Sequence, residues 1–68
     1  MDIQRLAYMA NQIARNLAAQ GEEAATTQTA QHIRDFWDPR MRGAIMAADP
    51  TLLEPVAAAA VALLRPAA

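Results

Sequence analysis

The sequence has no cysteine, no serine and no lysine, and its one histidine is His32. Without cysteine there is no disulfide, no thiolate zinc site and no iron–sulfur ligation. One histidine excludes a His-rich metal site. Two glycines, Gly21 and Gly43, stand apart, so no glycine-rich phosphate loop exists. Aromatic residues make up 4% of the chain, and β-branched residues are few. That scarcity, with alanine at 18 of 68 positions, argues against an all-β fold. The net charge of −1 gives no electrostatic reason to expect nucleic acid or an anionic membrane.

What is present is helical. Residues 1–68 read as one small domain, and a core of this size seldom supplies more than about 3–5 kcal/mol. With disulfides and metal excluded, tight helix packing or a partner must make up the rest. Four helices are predicted, over about 3–20, 23–36, 39–48 and 55–65, in an all-α bundle. Asp2 caps the first, whose Ile3, Leu6, Ala7, Ala10, Ile13, Ala14, Leu17 and Ala18 follow helical spacing. Gly21 suits a left-handed C-cap after it. Glu22 and Glu23 favour the start of the second helix. Its apolar face is thin: Ala25 or Thr26, Ala30, Ile33, then Phe36 or Trp37. Asp38–Pro39 opens the third as N-cap and first helical residue, with Met41, Ala44, Ile45 and Ala48 facing one way. Gly43 inside it either allows close helix contact or is simply tolerated, at about 1 kcal/mol relative to Ala. Asp49–Pro50 turns the chain. Glu54–Pro55 opens the fourth, with Val56, Ala60, Leu63 and Leu64 as its stripe, and Pro66 ends it. No basic-then-apolar leader is visible, and the run from Val56 to Leu64 is far short of the ~20 residues of a membrane span. The expected location is the cytoplasm, with no membrane contact.

Catalytic groups are scarce. The threonines have no adjacent base. His32 with Asp35 one turn on could act as a general base, but a solvated helix histidine is the simpler reading. The stretch from His32 to Arg42 gathers the only His, Phe and Trp with three of the six arginines. Trp, Arg and Met are typical of interface hot spots. Phe36 and Trp37 point about 100° apart on a helix, so one belongs to the core and the other to a partner. On helix one, Tyr8, Asn11, Gln12, Arg15 and Ala19 share the face opposite the apolar one. Amides and tyrosine stand there in place of the Glu and Lys of an ordinary solvated face.

Two segments, Tyr8-Met9-Ala10-Asn11-Gln12-Ile13-Ala14-Arg15-Asn16-Leu17 and His32-Ile33-Arg34-Asp35-Phe36-Trp37-Asp38-Pro39-Arg40-Met41-Arg42, resemble the delta subunit of NAD-dependent, molybdenum-containing formate dehydrogenases. The resemblance covers about residues 3–46. It carries over Tyr8, Asn11, Gln12, His32, Phe36, Trp37, Asp38, Pro39, Arg40 and Arg42 as motif positions. It implies a noncatalytic accessory subunit of an enzyme that oxidises formate to carbon dioxide and reduces NAD. By the same resemblance the catalytic alpha subunit carries molybdenum bis-MGD and iron–sulfur clusters, and beta and gamma carry FMN and further clusters. No cofactor is expected in this chain. The expected partner is the alpha subunit. Contacts are assigned to Tyr8, Asn11, Gln12 and Arg15 on one face and to His32, Trp37, Asp38, Arg40 and Arg42 on another. Two rival readings stand beside it. One is a maturation chaperone gripping the pterin phosphates through Arg34, Arg40 and Arg42. The other is a module that self-associates through its alanine-rich last helix.

Overall fold

A computed structural model describes residues 2–65. It contains four α-helices, α1 (Ile3–Leu17), α2 (Glu22–Phe36), α3 (Pro39–Ala47) and α4 (Pro55–Leu64). No strand occurs among the described residues, so the all-α expectation holds. The radius of gyration is 10.7 Å, close to the ~11 Å of a well-packed chain of this length. Pro66, expected to end the last helix, lies outside the described residues.

The punctuation acts as its chemistry dictates. The Asp2 carboxylate accepts from the N–H groups of Gln4 and Arg5, and that of Asp38 accepts from Met41 N–H at 2.8 Å. Both satisfy donors that have no partner inside their helices. Beyond Leu17 the chain tightens into a 3-10 turn, Ala18–Gln20, where the sequence reading continued the helix. Gly21 follows at φ 99° and ψ 152°. This is a region reserved for glycine, and not the left-handed cap geometry expected there. A second 3-10 turn, Pro50–Leu52, occupies the α3–α4 connection. The Asp49 carboxylate accepts from Thr51 N–H at 2.9 Å, and this bond holds the Asp49 carboxyl below its ordinary pKa.

The buried side chains are Leu6, Ala7, Ala10 and Ala14 of α1, Ala25, Thr29, Ala30 and Ile33 of α2, Trp37, Ile45 of α3, and Ala57, Ala60 and Val61 of α4. Helices α1 and α3 pack as their spacing implies. Helix α4 does so in part: Ala60 is buried and Val56 and Leu64 pack against the core, but Ala57 and Val61 are buried beside them and Leu63 is 48% exposed, where the spacing predicts Leu63 in the buried stripe. The pairing of α4 with α2 explains this. Ala25 and Ala30 on one side and Ala57 and Ala60 on the other are fully buried, and side chains this small let two helices approach closely. Thr29 is buried among the α2 residues with its hydroxyl unpaired, at a cost of about 1–3 kcal/mol. Gly43 gives no close contact within the chain, since nothing lies within 4 Å of where a Cβ would stand.

Candidate interaction surface

The α1 face is half spent on the fold. Asn11 Nδ2 donates to the Leu52 carbonyl at 3.1 Å, and Asn11 Oδ1 accepts from Glu54 N–H at 2.9 Å. One amide thus holds both ends of the stretch that leads into α4. One turn on, Arg15 forks Glu54, with Nε donating to Oε1 at 3.0 Å and the second guanidinium nitrogen bonded to Oε2. A bidentate fork is the strongest form of this pair. The hydrogen bond to Arg15 lowers the Glu54 pKa, and the bond to Glu54 raises that of Arg15. Tyr8, 66% exposed, and Gln12 remain presented outward. They border a shallow groove of about 370 Å³ that Leu52 closes on the far side.

The α2–α3 junction is also partly spent. Trp37 is 5% exposed and belongs to the hydrophobic core. The assignment of Trp37 to a contact surface is therefore corrected: the tryptophan is the inward member of the pair, and Phe36, 75% exposed, is the outward one. The spacing explains the choice. Ala25, Thr29, Ile33 and Trp37 recur every four residues along the buried side of α2, whereas Phe36 continues the exposed row of Gln28 and His32. Asp38 is occupied as a cap. Arg42 donates to the carbonyls of Arg34, at 3.2 Å, and Trp37, at 2.8 Å, which satisfies acceptors at the end of α2. Arg34 donates to the Leu63 carbonyl and Arg65 to that of Met46. Of the three arginines suggested as a phosphate clamp, Arg34 and Arg42 already serve the backbone. Arg40 is exposed and makes no side-chain bond or ion pair among the described residues. His32 is exposed, with its ring centroid 4.7 Å from that of Phe36 and the planes tilted by 34°.

The nine residues assigned to contacts thus divide. Asn11, Arg15, Trp37, Asp38 and Arg42 hold the chain together, while Tyr8, Gln12, His32 and Arg40 face outward. Phe36, Leu52 and Leu63 are exposed apolar residues that the contact assignment left out. For Phe36 the signal was the four-residue row that ends at Trp37. His32 and Asp35 form no acid–base pair here, since Asp35 accepts from Gln31 and His32 lies against Phe36. No group of three or more His, Cys, Asp or Glu among the described residues is placed to hold a metal ion. No helix among them is long and apolar enough to cross a membrane.

Fold and surface together define a small all-α bundle that presents aromatic, amide and arginine side chains around an alanine-rich interior. The family model of the NADH-dependent formate dehydrogenase delta subunit, FdsD, matches residues 5–61, and the chain belongs to that family. It is thus a delta subunit of a multisubunit, NAD-dependent formate dehydrogenase. Comparison with curated proteins and with solved structures gives no match.

Proposed function

We propose that the chain is a noncatalytic accessory subunit that binds the alpha subunit of the cytoplasmic formate dehydrogenase, within a complex that also holds beta and gamma. It stabilises the assembled enzyme or its cofactor-loaded alpha subunit. In this reading formate oxidation and NAD reduction belong to the partner subunits, which carry the molybdenum bis-MGD, the iron–sulfur clusters and the FMN. The observation that carries the reading is the division of the nine contact-assigned residues in a member of the delta family. Five build the bundle, and Tyr8, Gln12, His32 and Arg40 are left outward without an acid–base pair between His32 and Asp35. Binding that requires the folded chain stabilises both sides by mass action.

The test is purification of the enzyme through this chain, tagged, in high salt. Stoichiometric recovery of a molybdenum-loaded complex is the expected result. Recovery of an alpha subunit without molybdenum would replace the reading with a maturation chaperone. A chain recovered alone, with a mass that rises with concentration, would replace it with self-association.

A further inference from the structure

Most of the second motif is explained by the fold. Trp37 fills the core, Asp38 caps α3, Pro39 starts it and Arg42 closes the end of α2. Phe36 is not explained in this way. It is the most exposed large apolar side chain described, and it sits on a helix end that these same groups fix in place. His32 lies against its ring, which limits the freedom the aromatic pair would lose on binding. Arg40 is four residues on, so its Cα is at most about 14 Å from that of Phe36. Arg40, Gly43 and Ala47 then share the exposed side of α3, and at Gly43 the helix is bare. A helix-interior glycine with no neighbour costs helix stability and returns nothing inside this chain.

We infer that Phe36, backed by His32, is the anchor that docks the chain into an apolar pocket on another subunit of the formate dehydrogenase. That subunit lies close over Gly43 and offers a carboxylate to Arg40. The inference rests on the accessory-subunit reading and adds the surface and the chemistry of the receptor. A protruding side chain needs a concave receptor. The grooves of this chain flanked by Glu22, Glu23, Glu54 and Arg15 are charged at their edges. Its apolar cleft beside Ile45 and Val61 is flanked by Arg65, which is bonded to Met46. A second copy therefore offers Phe36 a poor seat, and a different subunit is the occupant.

The test uses the full chain co-expressed with the other subunits, and two variants that leave the bundle intact. Phe36→Ala removes an exposed ring. Gly43→Gln adds a long side chain where nothing stands within 4 Å, and its better helix propensity should raise the isolated chain's melting midpoint by about 4–8 °C. Both variants should fold, judged by circular dichroism, and both should bind the remaining subunits about thirtyfold more weakly or worse, the size of an interface hot spot. A folded Phe36→Ala or Gly43→Gln chain that binds within threefold of the wild type overturns the inference. So does a wild-type chain whose self-association Phe36→Ala abolishes. If the wild-type chain itself fails to bind the other subunits, the accessory-subunit reading falls first.

Discussion

The two motif segments use their polar side chains over very different ranges. On α1, Asn11 and Arg15 reach groups 39 to 43 residues away, at Leu52 and Glu54. At the α2–α3 junction, Asp38 and Arg42 bond groups only three to eight residues away. The first segment closes the bundle, and the second builds a corner. A short-range bond depends mainly on local conformation. A long-range one exists only when the whole chain has packed, so its loss should register across the molecule.

Four substitutions or conditions probe that contrast. Trp37→Ala should have the largest effect, destabilising the chain by about 3–5 kcal/mol, read as a fall in the urea midpoint. An effect below 1 kcal/mol would mean that the corner does not need its buried ring. Asn11→Ala comes next, at about 1–3 kcal/mol, because it strips partners from the Leu52 carbonyl and the Glu54 N–H together. Hydrogen exchange should speed up between Thr51 and Glu54, far in sequence from the change. Asp38→Ala should cost about 1 kcal/mol, the value of an N-cap, with faster exchange confined to the first turn of α3. If Asn11→Ala proved as local as Asp38→Ala, the contrast would fail.

The smallest effect is that of acid. The pKa values of Glu54 and Asp49 are lowered in the fold. Their contributions are therefore complete above the ordinary carboxylate values, near 4, and are lost as pH falls through the lowered ones. The raised pKa of Arg15 matters only in strong alkali. A thermal midpoint that slips modestly below pH 4, with the stretch around Glu54 exchanging first, is the expected outcome. Both partners are solvent-exposed, so added salt should blunt the part due to the Arg15–Glu54 pair.

The helix boundaries were legible because they depend on neighbours in sequence. Asp2, Asp38–Pro39 and Glu54–Pro55 each mark a start whose chemistry needs only the next few residues. The orientation of α4 was legible only in part. Four consecutive alanines, Ala57 to Ala60, carry no apolar contrast, so Val56, Leu63 and Leu64 set the predicted stripe. Val56 and Leu64 do pack against the core, but the pairing of α4 with α2 also buries Ala57 and Val61 and leaves Leu63 outward. The same limit governs the candidate site. The capping role of Asp38 follows from its place before proline. Nothing in the spacing of Asn11 or Arg15 announces Leu52 or Glu54, so both were assigned outward. At Phe36–Trp37 the sequence narrowed the choice to two, and burial decided it.

The long reach of Asn11 also bears on how the chain matures as it is synthesised. Helix α1 is translated first, yet the backbone groups that its amide grips appear some forty residues later. Until Glu54 has been made, that side of α1 lacks the partners it will bind, and α4, the cover for the alanines of α2, does not yet exist. The nascent chain can cap helices and turn its corner as it emerges. It can close only once the stretch through Glu54 and α4 has emerged, so the packing of α1 waits on a segment made some forty residues after it.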